Sequence, residues 1–392
     1  TQMHPHFLSY GTVTIYLIYS TQELLKSISS VLSSEFLVHS SFLLGRFYSA
    51  LFSTLTIIVI YNICTTFFAK KQFSLIAAFL VAVTPGLIQQ AHFATPESAL
   101  TFFLFCSLFF LIRFIKLDKI FYLILASIFL GLALGVKISS IVFLLPLILA
   151  IIIPSLKKPP ALIERIFVSL ITVFTIFVLA APYVFLDYKA FRSNLDYEGG
   201  LAVGKIPVFY TRQFIDTVPV LFHMEKILPY ALGPVLLVSA TLGFVFLILS
   251  LIKNLTNKKH LGWWQAKLHL RGGRTDSSEV NVLFLIAIAF LSLFISNAFL
   301  FAKWTRFIAP TFPFFAIFAA FFLQWLSKRT KLLSNSLLII LLVSTILWTT
   351  AFFSIYTNRD IRIIASDWLE SHAPEGSTFL VEGGNTIDIP LS

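Results

Sequence analysis

Residues 96–117 read PESALTFFLFCSLFFLIRFIKL. No charge occurs between Glu97 and Arg113. As a helix this run is long enough to cross the hydrocarbon of a bilayer, which takes roughly 20 mainly apolar residues at about 1.5 Å each. Pro96 opens it, where a missing N–H costs nothing. Glu97 lies in the first turn, at the positive end of the helix dipole, and Arg113 and Lys116 lie toward the other end.

The rest of the chain repeats the pattern. Comparable runs occur at about 44–68, 72–91, 119–136, 138–156, 161–185, 229–252, 281–300, 306–326 and 333–356. Gly131, Gly135 and Lys137 mark the turn between the two runs that meet there. The composition agrees: 58% of the 392 residues are hydrophobic and 12% are charged, against about 25% charged in a soluble domain. The mean hydropathy is +0.90, and 44 Phe are too many for one soluble core. The expected fold class is an all-α polytopic membrane bundle of about ten spans, with the lipid bilayer as its first partner.

A net charge of +11 could suit nucleic acid. Here the basic residues form short clusters between apolar runs rather than a continuous stripe, so no nucleic-acid partner is expected. Alternate loops hold Lys70–Lys71, Arg113–Lys119, Lys157–Arg165, Lys253–Glu279 and Lys328–Lys331, which together carry 17 of the 29 Lys and Arg but 4 of the 18 Asp and Glu. That imbalance marks these loops, including 253–280, as cytoplasmic. Residues 1–43, 91–97, 136–138, 186–228, 301–306 and 357–392 then lie on the outer side. Within 1–43, the uncharged segment Phe7–Gln22 is expected as a helix lying in the interface. The bundle occupies 44–356. Residues 357–392 look like the start of an outer soluble domain, with a helical pattern from Ile361 to Leu369, a stop at Ala373–Gly376 and a strand at Thr378–Glu382. Cys64 and Cys106 fall inside apolar runs, away from any metal-ligand spacing, and read as small buried hydrophobes.

Ionisable residues gather at the outer ends of the spans. His92 and Glu97 flank Pro96; they could cap and anchor, or bind a divalent metal cation, or hold an acceptor hydroxyl. Lys137 stands alone between two apolar runs, where it either snorkels or points into a site. Lys303 and Arg306 are three apart, share a face if helical, and suit a phosphate at headgroup level. The long outer loop 186–228 carries Arg212, Tyr210 and His223 and follows Ala181-Pro182-Tyr183; its mix of aromatic and charged residues suits sugar stacking and lipid phosphate. His4 and His6 lack a third local ligand. No P-loop, dinucleotide-binding glycine pattern, HExxH or GxSxG occurs, which leaves ATP-driven cytosolic chemistry without a motif.

The order of several short motifs resembles the GT-C membrane glycosyltransferases, in particular the protein O-mannosyltransferase and aminoarabinose-transferase group. The likeness rests on Pro5-His6-Phe7-Leu8-Ser9-Tyr10-Gly11, Leu44-Gly45-Arg46-Phe47-Tyr48, Thr84-Pro85, Ala91-His92 to Glu97, Gly131 to Lys137, Ala181-Pro182-Tyr183, Arg306-Phe307-Ile308-Ala309-Pro310 and Ala365-Ser366-Asp367-Trp368-Leu369. The resemblance implies transfer of a sugar from a polyprenyl-phosphate donor to a protein, lipid or glycan acceptor on the outer face, in a multi-pass protein of a prokaryotic plasma membrane. It implies that Glu97 stands at a second acidic position and that Lys137 and Arg306, with Lys303, neutralise the lipid phosphate; Glu97 and His92 are the catalytic candidates, and Tyr183 and Arg212 are further candidates for binding the substrate or its lipid phosphate. The family's principal catalytic carboxylate would precede Thr1, and both ends of the chain read as cut. The rival readings are a carrier or flippase of a lipid-linked sugar, a polysaccharide polymerase or ligase, and a non-catalytic scaffold. A carrier should place charges near the bilayer midplane.

Overall fold

The computed structural model describes residues 4–28, 34–155, 160–256, 277–374 and 376–378. The chain runs through α1 (Val13–Ile28), α2 (Ser34–Thr65), α3 (Lys71–Ala82), α4 (Pro85–His92), α5 (Glu97–Leu117), α6 (Ile120–Val136), α7 (Leu144–Ser155), α8 (Pro160–Ala180), α9 (Tyr183–Leu186) and α10 (Tyr188–Ala202). It continues through α11 (Leu228–Leu232), α12 (Pro234–Thr256), α13 (Ser277–Ala298), α14 (Thr305–Ile308), α15 (Phe312–Ser327), α16 (Lys331–Thr357) and α17 (Ile361–His372). A 3-10 turn, Ile138–Phe143, leads into α7, and another, Ala309–Thr311, joins α14 to α15. No strand occurs among the described residues.

Eight stretches are long and apolar enough to cross a membrane, and the pair α3–α4 makes a ninth. α6, at 17 residues, is shorter than these. All the apolar runs expected to span are helical, but 72–91 is not one straight helix. It bends by 53° between α3 and α4, because Pro85 has no N–H to give and forces Thr84 into extended backbone. The expected interfacial helix at Phe7–Gln22 begins at Val13 instead. Residues before it are held as a loop by bonds to α6 and α8: the Gly11 N–H donates to the carbonyl of Val136 at 2.9 Å, and Thr12 Oγ1 donates to that of Ala180 at 2.6 Å. The expected strand falls on residues that are, apart from Thr378, outside the described ones, as does most of loop 253–280.

The apolar surface sorts the helices. α5 and α15 are buried along most of their length, whereas α8 and α16 expose theirs. On α8, Ile163, Phe167, Leu170 and Phe174 project outward, which suits contact with lipid tails rather than water. Between helices the hydrophobic effect is weak in a membrane, so close packing depends on small residues. Gly131 and Gly135, four apart on α6, show this: a Cβ at Gly131 would lie 2.8 Å from the Val173 carbonyl oxygen, and one at Gly135 would lie 2.7 Å from Ala180 Cβ. Both contacts are with α8.

α5 separates two polar ends of the bundle by about 30 Å, given its 21 residues. At one end Arg165 is paired with Asp118 at 2.6 Å and donates to Ser155 Oγ at 3.1 Å, and Lys116 donates to the carbonyl of Thr66. The other end carries Glu97 and the cluster described next.

Candidate functional site

Four segments converge at the Glu97 end: the loop before α1, the start of α5, the junction after α6, and α14. Glu97 is 1% exposed, and its Oε1 lies 3.1 Å from Lys137 Nζ. Lys137 sits where α6 stops, its backbone extended, so its side chain leaves the helix axis rather than following the surface of α6. The ammonium lies 4.6 Å from the centre of the Phe307 ring and 5.9 Å from that of Tyr10. Arg306 stands near the same two rings. Its Nη1 donates to the Tyr10 hydroxyl at 2.8 Å, and its guanidinium carbon lies 5.1 Å from the Trp304 ring and 5.5 Å from that of Phe307. Two cations thus share one aromatic wall. Glu97 partners Lys137, while Arg306 has no carboxylate within ion-pair distance among the described residues. Burial draws Lys137 below the ordinary lysine range, and Glu97 opposes that effect. Burial also pushes the Tyr10 phenol up, with Arg306 opposing, so the phenol keeps its proton. Because its oxygen already accepts from Arg306, that proton is available to an anion.

The local sequence explains why Tyr10 stands there. Gly11 touches the last turn of α6 so closely that a Cβ would lie 1.9 Å from the Gly135 carbonyl oxygen. Ser9 Oγ donates to Asn194 Oδ1 of α10 at 3.2 Å, and His4 Nε2 lies 3.1 Å from Asp187 Oδ2. Gly11→Ala is therefore expected to push the loop off α6. The cost should be about 1–3 kcal/mol, as for other overpacked sites, seen as a lower Tm in detergent together with weaker binding of any ligand held by Tyr10.

Two cavities flank Arg306. One, of about 280 Å³, has an apolar floor that includes Leu134, Phe177 and Phe191, and Tyr10, Lys137 and Arg306 among its polar lining. The second, of about 680 Å³, is lined by Gln89, Gln90, Tyr197, Tyr210 and Trp304. Arg306 and Glu198 line both.

The structure brings together Glu97, Lys137 and Arg306 but not the other expected site residues. His92 is exposed, with its ring centre 4.2 Å from that of Tyr356, while Glu97 is turned inward to Lys137. The two share no partner, and the described residues contain no group of three His, Cys, Asp or Glu able to hold a metal ion. His92 and Glu97 therefore do not form a divalent-cation site with each other. Lys303 is 4% exposed and donates to the carbonyl of Phe301 at 3.1 Å, away from the aromatic wall. Burial lowers its pKa. Tyr183 packs edge-on against His4, with ring centres 4.4 Å apart. Arg212 is exposed and lines neither cavity. Tyr10, Phe307 and Glu198 are the residues that sequence reasoning did not single out. The first two lie inside motifs quoted above; Glu198 lies in the long loop and carries no distinguishing spacing.

His223 is fully buried, and neither of its ring nitrogens has a hydrogen-bond partner. Burial, reinforced by Lys303, lowers its pKa from 6.5 to about 4. An unfolded His takes up a proton near pH 6.5, whereas the folded one stays neutral down to about pH 4. The unfolded state therefore binds more protons in that window, and stability falls as the pH drops through it, by about 3 kcal/mol at most. The expected result is a Tm that declines from pH 7 to pH 4.5 in the wild type and declines less in His223→Leu.

Comparison with known proteins follows the same lines. Residues 33–185, from the approach to α2 through most of α9, match the dolichyl-phosphate-mannose-protein mannosyltransferase family. No curated protein matches the sequence. Among solved structures, the Archaeoglobus fulgidus oligosaccharyltransferase in complex with Zn and sulfate superposes with a TM-score of 0.57 at 15% identity, over 94% of this chain and 48% of that one. ArnT from Cupriavidus metallidurans bound to undecaprenyl phosphate gives 0.54 at 15% identity, over 84% and 52%. The apo form of the Archaeoglobus enzyme gives 0.51 at 14% identity, over 94% and 51%. The chain thus spans about half the length of the solved structures it matches. The helical architecture, the membrane-spanning runs and the segment containing Glu97 and Lys137 identify the chain as a GT-C-fold membrane protein similar to the dolichyl-phosphate-mannose-protein mannosyltransferases.

Proposed function

We propose that the chain is the membrane part of a glycosyltransferase that takes a sugar from a polyprenyl-phosphate donor. The observation that carries this reading is the pair of cations, Lys137 and Arg306, on one aromatic wall beside an apolar cavity at one end of the bundle. A lipid phosphate needs cationic groups at the headgroup and apolar surface below it. The likeness to ArnT bound to undecaprenyl phosphate supports the same choice of ligand. The charge pattern of the loops favours the non-cytoplasmic face for this end, and the protein as an integral multi-pass one. The position of the cluster at a bundle end, not at mid-depth, speaks against a carrier.

In the proposed reaction an acceptor hydroxyl attacks the anomeric carbon. The bond from that carbon to the phosphate oxygen breaks, the electron pair leaves on the phosphate, and the acceptor's proton passes to the departing phosphate or to solvent. Arg306 and the Tyr10 hydroxyl stabilise the charge that develops there; Lys137 adds its field, and Glu97 holds Lys137 in place. Protein, lipid and glycan remain the candidate acceptor classes.

The test is binding in nanodiscs. The wild-type protein should bind undecaprenyl phosphate saturably and bind undecaprenol, which lacks the phosphate, at least tenfold more weakly. Equal binding of the two lipids would remove the phosphate site and with it this function.

A further inference from the structure

The phosphate site leaves the larger of the two cavities beside Arg306 without a role. We infer that it is a carbohydrate subsite, in which Tyr210 and Trp304 form the platform for the donor's sugar ring and Glu198 accepts hydrogen bonds from its hydroxyls. This inference rests on the proposed phosphate site and adds to it the place where the sugar lies.

Position favours a sugar here. In a sugar phosphate the ring is one bridging oxygen from the phosphorus. A phosphate held by Arg306 therefore puts the ring beside Arg306, on the side away from the apolar cavity that suits the lipid chain. Arg306 is part of the wall of the second cavity, and Lys137 is not. At about 680 Å³ this cavity is within the usual range for small-ligand sites, roughly 300–1,000 Å³.

The lining chemistry agrees. Carbohydrates present apolar C–H faces and a rim of hydroxyls, so they are held by aromatic faces together with planar polar groups. The rings of Tyr210 and Trp304 lie 5.9 Å apart at 34°. Trp304 is kept in place by Phe214, at 5.9 Å, and by the guanidinium of Arg306. The same cavity is lined by Gln89 and Gln90, whose side chains hydrogen-bond to no described residue, although Gln90 is only 6% exposed.

Glu198 is the most telling of these residues. It is half-buried, lines both cavities, and has no hydrogen bond or ion pair with any described residue. Its helix neighbour Asp196 shows the ordinary solution, pairing with Arg192 at 2.9 Å. A half-buried carboxylate without a donor costs free energy that a ligand's O–H groups would offset. An anion would be repelled by it, so a neutral polyol fits this cavity better than a second phosphate.

The experiment compares dolichyl phosphate carrying mannose, dolichyl phosphate carrying glucose, and bare dolichyl phosphate, each titrated into protein in nanodiscs. The measured quantity is the affinity ratio of each glycosylated lipid to the bare one. In the wild type at least one ratio should exceed tenfold, and in both Glu198→Gln and Tyr210→Ala it should fall to near one. Saturable binding of the bare lipid certifies that a variant is folded, and either variant suffices if the other fails that check. Ratios near one in a wild type that binds bare lipid would overturn the subsite and leave the phosphate site standing. A ratio that survives in a folded variant would overturn it as well. If the wild type binds no bare lipid, the phosphate site falls and this subsite with it.

Discussion

Arg306→Ala is expected to weaken binding of undecaprenyl phosphate by roughly 10- to 100-fold while leaving the protein folded. The side chain is only half-buried, has no ion pair to break, and gives up one hydrogen bond to Tyr10. What it would lose is a charge-assisted contact with the phosphate, worth about 1.5–3 kcal/mol, and each 1.4 kcal/mol is about tenfold in affinity. Arg306→Lys should recover part of this, because the charge returns but not the planar fork that stacks on Trp304. Tyr10→Phe should cost less, about 0.5–1.5 kcal/mol, since it removes one neutral hydrogen bond. Titration of the lipid into each variant gives the order directly. An Arg306→Ala protein that binds as tightly as the wild type would place the headgroup elsewhere.

Glu97→Gln should act on stability first. Its carboxylate is almost fully buried, and Lys137, with 15% of its side chain exposed, is its ion-pair partner. Removing one partner of a buried pair leaves the other charge uncompensated, at a cost of about 3–5 kcal/mol. Lys137→Met should be comparably harmful, because it strands Glu97. The double variant Glu97→Gln with Lys137→Met should recover most of the lost Tm, although binding of the lipid phosphate should stay weak. Failure of the double variant to recover stability would mean that the two residues act through other contacts.

The helices were legible because a bilayer leaves the backbone few choices: each apolar run must satisfy its own hydrogen bonds. Less was legible at the helix ends. His92 and Glu97, five apart, look like neighbours in sequence, yet α4 ends at one and α5 begins at the other, so they sit on different helices. Lys303 and Arg306 would share a face on one helical turn, but α14 starts only at Thr305 and Lys303 lies before it. Helical spacing therefore does not apply to the pair, and Lys303 turns to the Phe301 carbonyl. The pairing of Lys137 with Glu97 spans 40 positions and depends on how α5 and α6 pack, which no local pattern encodes. Glu198 carries no such signal, because nothing in the sequence of the long loop distinguishes a carboxylate with a partner from one without.

The contact between Arg306 and Tyr10 joins residues 296 positions apart, from the segment before α1 and from α14. A ribosome delivering this chain releases Tyr10 early, whereas its guanidinium partner emerges only after α13. Until then the growing protein holds Lys137 and Glu97 but not the second cation. The clamp is completed late in synthesis, so a partly made chain in the membrane cannot engage lipid phosphate with both of its hands.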